Sequence, residues 1–314
     1  MTQQPFLRIQ PIIYILLGLP FLFFSCGLFD KELRQDQHIA AFKHQIGRVA
    51  DSLDTPAERI EALKTIIKNI GEDNDLITLR KKNKLLIEGN YSLSNEYFNV
   101  GNYAKAVEYT NNAIKLDSTD ASGYFNRGSL YQSMAEDSLA LIDYTQAINL
   151  NNNYADAYYN RGIIHEKSCN YMLALTDYNK AIKEQPVNIA DIYNNRGNIY
   201  LALKDTSKAL SDYSRVLDMD TANINAYTNR VNLYIKLKKL DKALDDCNKG
   251  LNVDSTYIRL YHQRATIYEQ KKEYDLAIDD YEKVLKLDTH NYYKTKKKTS
   301  ETIKKLRALM KKHQ

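Results

Sequence analysis

The chain has 314 residues, of which 26% are charged and 44% hydrophobic, a composition typical of folded soluble proteins. Only 11 Gly and 5 Pro interrupt it, and this shortage of turn-forming residues favours helices joined by short connections. The net charge of +5 reflects the C-terminus, because nine basic residues and one acidic residue lie between Tyr292 and Gln314. The rest of the chain is slightly acidic, so the overall charge gives no reason to expect nucleic-acid binding.

The N-terminus has the pattern of a secretory signal. One Arg stands in the first ten residues, a continuous apolar stretch runs from Pro11 to Phe24, and Ser25 and Cys26 follow. The tetrad Phe23 to Cys26 resembles the lipobox of bacterial lipoproteins, which implies that residues 1–25 are a signal peptide and that Cys26 is lipidated. The expected location is then the cell envelope, facing the periplasm or the exterior. The alternatives are a single-span anchor, since Ile12 to Phe29 is about the minimum length for a bilayer, and a buried helix.

Two amphipathic helices are predicted between this segment and the main body. The first has apolar residues spaced by three and four, from Ile39 to Leu53. The second opens with Thr55, Pro56 and Glu58, a capping box with proline at the first helical position, and Gly71 is expected to stop it. We therefore expect residues 26–86 to hold the anchor, a short linker and a helical cap.

The main body is a sequence repeat. An alanine recurs at intervals of 34, 34, 35, 34 and 34 residues, at Ala106, Ala140, Ala174, Ala209, Ala243 and Ala277. Twelve residues before each alanine stands a small residue in every copy except the fifth, where Val231 replaces it. Because the shorter spacings within each copy are three and four, each copy is predicted to be a pair of antiparallel helices.

Copies such as YFNRGSLYQSMAEDSLALIDYTQAINL resemble tetratricopeptide repeats, with a tyrosine where that family often has tryptophan. The resemblance implies an all-α fold, a right-handed α-solenoid of about six helix pairs with helical caps at both ends. The copies are predicted at residues 87–120, 121–154, 155–188, 190–223, 224–257 and 258–291. Residues 292–314 are predicted to form a basic capping helix with Ile303, Leu306 and Met310 as its apolar stripe.

The same resemblance indicates a protein-interaction scaffold that holds an extended segment or a helix of a partner protein in a groove lined by the first helix of each pair. Asparagine and glutamine side chains at one position of successive first helices suit the backbone of any extended peptide. Asparagine is also a common family residue there, so a purely structural role is the alternative. The predicted groove residues are Asn126, Asn160, Asn195, Asn229, Gln263, Tyr91, Phe125, Tyr159, Asn198 and Asn232.

Two other functions remain open. The basic C-terminal helix indicates contact with a membrane surface or a polyanion, and His165 with Cys169 is the only candidate for an enzymatic pair. No orienting third group accompanies that pair, so we expect no enzyme activity, cofactor or metal, and neither nucleic acid nor a small molecule as partner. Cys169 and Cys247 are more than two repeats apart, so both are predicted to be free thiols.

Two further predictions concern packing. Five arginines are each followed sixteen residues later by an aspartate, which predicts one ion pair per helix pair in copies two to six. The first copy has Leu93 and Tyr109 in place of both partners. In the fifth copy, the bulky Val231 is predicted to pack against the helix that carries the small residues Cys247 and Gly250.

Overall fold

The computed structural model describes residues 29–72, 79–288 and 296–313, and these ranges contain fifteen α-helices and no strand. The predicted signal peptide and lipidated Cys26 lie outside the described residues. None of the described helices is long and apolar enough to cross a bilayer. The helices are α1 Phe29–Ser52, α2 Pro56–Glu72, α3 Leu79–Asn99, α4 Tyr103–Leu116, α5 Ala121–Ser133, α6 Asp137–Leu150, α7 Ala155–Lys167, α8 Tyr171–Lys183, α9 Ile189–Ala202, α10 Thr206–Met219, α11 Ile224–Lys236, α12 Leu240–Val253, α13 Ile258–Lys271, α14 Tyr274–Leu287 and α15 Lys296–His313.

The chain divides into two compact units, Met1–Asn152 and Asn153–Gln314. In the first, α3 pairs with α4 and α5 with α6; in the second, α7 pairs with α8, α9 with α10, α11 with α12 and α13 with α14. Within each unit the second helix of one pair also packs against the first helix of the next pair. The predicted all-α solenoid of six helix pairs is confirmed.

The helical caps form as predicted, with two differences of detail. The amide of Thr55 donates to Glu58 Oε2 (3.2 Å) and the amide of Glu58 donates to Thr55 Oγ1 (3.3 Å), which is the expected capping box. Gly71 lies inside the last turn of α2, which ends at Glu72. Helix α3 begins at Leu79, ahead of residue 87, because its first turns bury Leu85 against the cap.

Every first helix ends in the same left-handed turn. A residue one or two positions after the helix end has a positive φ in all six pairs, at Gly101, Ala135, Cys169, Lys204, Lys238 and Lys272. The next residue then donates its amide proton to the carbonyl five positions back, as Asp205 does to the Tyr200 carbonyl at 2.8 Å. This turn reverses the chain in three residues and fixes the antiparallel packing of each pair.

The contact between paired helices depends on matched side-chain sizes. In the second, third and fourth pairs a glycine lies directly under a tyrosine ring, and a β-carbon on Gly197 would be 2.7 Å from Cε1 of Tyr213. The first pair places Ser94 against Thr110 instead, with their hydroxyl oxygens 2.8 Å apart. The missing side chain of the glycine on one helix therefore leaves space that the tyrosine ring of the paired helix fills.

In the fifth pair a valine takes the glycine position and a cysteine takes the tyrosine position, as the predicted exchange requires. Val231 and Cys247 are both fully buried in one cluster, so the valine occupies the space that a tyrosine ring fills elsewhere. Gly250 serves a different neighbour, because a β-carbon there would be 2.5 Å from Leu260 of the next first helix. Val231 therefore packs against the helix that carries Cys247, as predicted, whereas Gly250 on the same helix makes room for Leu260.

The five predicted ion pairs are present. Each arginine holds both oxygens of its aspartate, as Arg230 does with Nε and Nη2 each 2.7 Å from Asp246, which is buried. The remaining nitrogen of the arginine extends to the second helix of the preceding pair, where Arg230 Nη1 donates to Ser214 Oγ at 3.0 Å. Arg127, Arg196 and Arg264 make the equivalent bond to Asn111, Asn179 and Asn248. One side chain thus joins the two helices of a pair and the pair to its predecessor.

Candidate functional site

The first helices of the second unit approach one another along one face. Asn195 of α9 donates to the Tyr159 hydroxyl of α7 (3.2 Å), and Gln263 of α13 donates to Asn232 Oδ1 of α11 (2.6 Å). Helix α11 also packs against both α9 and α13. We call this surface the first-helix face and define it by Tyr159, Asn195, Asn198, Asn229 and Asn232.

The predicted amides differ in how far they are already used within the chain. Asn195 and Asn229 are half-buried, and no hydrogen bond among the described residues uses the Asn229 side chain. Gln263 is only 6% exposed, and its Nε2 donates to the Thr228 carbonyl (3.0 Å) as well as to Asn232. Gln263 is therefore committed to contacts within the chain, whereas Asn229 can offer both a donor and an acceptor to a ligand.

Two of the three predicted aromatic residues pack on a tyrosine of their own pair. In the second unit the ring of Tyr159 lies 5.9 Å from that of Tyr178. In the first unit Phe125 lies 5.8 Å from Tyr144, while Asn126 is half-buried on the same helix, α5. Tyr91 donates its hydroxyl to Asp120 (3.0 Å). Each predicted aromatic ring is thus partly buried and held in position by a neighbour.

Acidic groups surround Tyr159, a feature that the sequence did not reveal. Burial raises the pKa of Glu166, which accepts a hydrogen bond from the Tyr178 hydroxyl at 2.6 Å. Burial, followed by the negative charge of Asp191, raises the pKa of Tyr159. Within the described residues no lysine or arginine forms an ion pair with Glu166 or Asp191, so this part of the first-helix face favours proton donors and cations.

Exposed Asn198 accepts the hydroxyl proton of Tyr213 at 2.7 Å. The acceptor for the same tyrosine is Gln132 in the second pair, Glu166 in the third and Glu269 in the sixth. These acceptors lie one turn further along the helix than Asn198. In these three pairs the acceptor stands twelve residues before the tyrosine. This constant spacing is the sequence signal that would have identified Glu166 as the partner of Tyr178.

The candidate enzymatic pair is not assembled. His165 points to Asp177, with Nε2 3.9 Å from Oδ2, and burial lowers its pKa. Cys169 is exposed in the left-handed turn, where its Sγ accepts the Tyr171 hydroxyl proton at 3.8 Å. Both described cysteines are free, as predicted, and burial raises the pKa of the Cys247 thiol. No hydrogen bond among the described residues joins His165 to Cys169.

Two family models, both described as tetratricopeptide repeat, match six segments of the chain. One matches residues 155–188, 190–221 and 258–291, and the other matches residues 87–120, 121–154 and 224–257. Together these segments make up about two thirds of the sequence. No curated protein matches the chain.

Solved structures with a similar fold share little sequence with this chain. YrrB, described as a TPR protein with an unusual peptide-binding site, is 22% identical, covers 58% of this chain and 94% of its own, and gives a TM-score of 0.51. PilF from Pseudomonas aeruginosa is 16% identical over 66% and 94%, with a TM-score of 0.57. A tetratricopeptide repeat protein from Parabacteroides merdae is 20% identical over 84% and 98%, with a TM-score of 0.53. Likeness at these identities concerns the fold alone.

Proposed function

This chain belongs to the tetratricopeptide repeat family, and from that premise we propose that it is a non-enzymatic scaffold whose first-helix face binds an extended segment of a partner protein. Proteins of this family commonly act as protein-interaction scaffolds. The N-terminal signal and lipobox pattern supports a location at the cell envelope, lipid-anchored through Cys26 and facing the periplasm or the exterior.

The observation that carries this proposal is the array of amide and aromatic groups on successive first helices. Tyr159, Asn195 and Asn229 come from three adjacent pairs, and consecutive pairs add such groups along one line. An extended peptide presents backbone donors and acceptors in the same repeating manner, so paired amides recognise it whatever its side chains. The peptide-binding site named for YrrB is consistent with this use of the fold.

The uncompensated carboxylates near Tyr159 specify part of the partner. Glu166 is half-buried and Asp191 is exposed, and neither has a cation among the described residues. A lysine or arginine of the partner placed between them would supply the missing positive charge and could lie against the Tyr159 ring. We therefore expect the bound segment to carry a basic residue at the third and fourth pairs.

A random peptide display library panned against the full chain tests the proposal. Enriched peptides should bind the protein with measurable affinity. The Asn195→Ala, Asn229→Ala double variant should bind them about thirtyfold more weakly, since each of the two lost hydrogen bonds contributes about 1 kcal/mol. The matched control is Ser211→Ala with Asn252→Ala, which changes two exposed residues of second helices and should bind normally.

Circular dichroism and the melting temperature establish that both variants are folded. If the folded Asn195, Asn229 variant binds the enriched peptides as tightly as the parent chain, the first-helix face is not the binding site. The second candidate then gains support: binding of a membrane surface or polyanion through α15, which exposes Lys297, Lys304 and Lys305.

A further inference from the structure

Exposed lysines occupy the turns between the two helices of the last three pairs. Lys204, Lys238 and Lys272 stand at the same left-handed position, with φ of 63°, 59° and 64°. Since these pairs stack in one orientation within the second unit, their turns follow one another along one edge, on the order of 10 Å apart. The lysine rim is the set of exposed lysines on this edge, namely Lys204, Lys236, Lys238, Lys239, Lys242 and Lys272.

Four of these lysines, namely Lys204, Lys238, Lys239 and Lys272, oppose local backbone preferences. A left-handed residue is strained when it carries a β-carbon, and the first pair has Gly101 at this position. Lys239 stands at the N-cap of α12 and makes no side-chain cap, whereas Asn102 and Asp205 cap their helices with side-chain oxygens. Its positive charge also meets the positive end of the helix dipole. Ala135 and Cys169 hold the same backbone position in the second and third pairs, so the conformation itself does not require a lysine.

Two of the acidic residues near these turns are already paired, whereas Asp275, three residues after Lys272, is exposed and forms no ion pair among the described residues. Asp205 forms an ion pair with Lys208 (2.9 Å) and Asp241 with Lys271 (2.6 Å), and neither lysine belongs to the rim. Within the described residues none of the six rim lysines forms an ion pair.

Helix α15 packs on the last pair. Ile303 and Leu306 join the buried cluster that contains Tyr281, and Arg307 forms an ion pair with Glu282 of α14. The exposed residues Lys304, Lys305 and Lys311 therefore add positive charge at this end of the unit.

We propose that the lysine rim rests on the anionic headgroups of a lipid bilayer, an interaction separate from peptide binding on the first-helix face. Lysine is a compact, hydrated charge on a flexible stem, which suits a plane of mobile headgroups, whereas arginine suits the paired geometry of a single fixed phosphate. The three turns carry lysine and no arginine. The three turns contain no aromatic residue on which a nucleobase could stack, and Leu203 beside Lys204 is 43% exposed and can enter the interface.

Vesicle binding by the full chain tests this, with the preference for phosphatidylcholine vesicles containing phosphatidylglycerol over pure phosphatidylcholine vesicles as the readout. Any contribution of the apolar N-terminus is common to both vesicles and cancels in this ratio. Replacing Lys204, Lys238 and Lys272 by glycine should reduce the preference by about fivefold per lysine, or roughly a hundredfold in total. Glycine relieves the left-handed strain, so the melting temperature should stay equal or rise, and loss of binding cannot then be assigned to unfolding.

Two controls separate position from total charge. Replacing the same three residues by arginine should preserve the preference, while replacing exposed Lys180, Lys183 and Lys286 by glutamine should reduce it by less than about threefold. The proposal is overturned if the glycine variant keeps the parent preference, or if the two sets of lysines contribute equally. Tighter binding of the parent chain to duplex DNA than to the anionic vesicles at equal salt would also overturn it.

Discussion

Restoring the glycine and tyrosine arrangement in the fifth helix pair tests the size-matching account of the core. Val231 and Cys247 are both fully buried and share one cluster, whereas the preceding pair has Gly197 under the ring of Tyr213. We consider Val231→Gly, Cys247→Tyr and the double variant. If the two positions fill one space, each single change is destabilising and the second change corrects the first.

The magnitudes follow from the volumes exchanged. Val231→Gly removes a buried side chain and leaves a cavity, so it should lower the free energy of unfolding by about 1 to 3 kcal/mol. Cys247→Tyr places a ring where the valine methyl groups lie and should cost about 1 to 3 kcal/mol through overpacking. In the double variant the new ring covers glycine, and Asn232 is placed to accept its hydroxyl proton, as Asn198 does for Tyr213. The double variant should therefore be more stable than the sum of the single effects by at least about 1 kcal/mol.

The measurement is equilibrium denaturation followed by circular dichroism, because the chain has no tryptophan for fluorescence. Thermal melting of the same four proteins provides a second estimate. Additivity of the two single effects to within about 0.5 kcal/mol would contradict the shared-space argument. An unchanged melting temperature for Val231→Gly would show that the valine fills no space that matters.

Two further predictions concern the charged groups. Asp246→Ala should lower the free energy of unfolding by about 3 kcal/mol, because it leaves the Arg230 guanidinium without the carboxylate that accepts two of its hydrogen bonds. The matched change Asp245→Ala should alter the free energy of unfolding by less than about 0.5 kcal/mol, because Asp245 is exposed. Equal losses for the two variants in urea denaturation would contradict the role of the pair. Burial raises the pKa of Glu166, so its charged form destabilises the fold once the pH exceeds the ordinary carboxyl pKa of 4.5. Glu166→Gln removes that charge and should raise the melting temperature by roughly a degree or two at pH 7. Below the ordinary carboxyl pKa the substitution should leave the melting temperature unchanged. Glutamine is sterically suited to that place, since Gln132 accepts the Tyr144 hydroxyl proton in the second pair, and a lower melting temperature at pH 7 would refute the reasoning.

The repeat made most of the fold predictable. A small residue that recurs at intervals of about 34 marks a packing contact that recurs in the structure. The recurring alanines and glycines therefore allowed every helix pair to be predicted. The arginine and aspartate pairs were predictable for the same reason, and the loss of both partners in the first copy added to the evidence. Their third contact was missed, although Asn111, Ser214 and Asn248 stand at a similarly regular offset, because the offset extends into the preceding copy.

The left-handed turn was hidden by its own composition. Glycine marks such a position because it carries no β-carbon, but only Gly101 of the six turn residues is a glycine. Hydrogen bonds from the following amide hold the other five in the same conformation, so the tertiary structure overrides the local preference. The sequence alone consequently did not show that Lys204, Lys238 and Lys272 occupy the same position of the turn, and these lysines could not be told from ordinary solvated ones.

The amides of the first-helix face show why position was easier to predict than availability. Asn229 and Gln263 stand at equivalent places in adjacent copies, and both were assigned to one ladder. Glutamine is longer by one methylene group, and its Nε2 reaches back to the Thr228 carbonyl and to Asn232 of the preceding first helix. Asn229 makes no such contact within the described residues, so the shorter side chain keeps its donor and acceptor for a ligand. The length of a side chain thus decides whether an amide at this position stabilises the stack or remains available to bind a peptide.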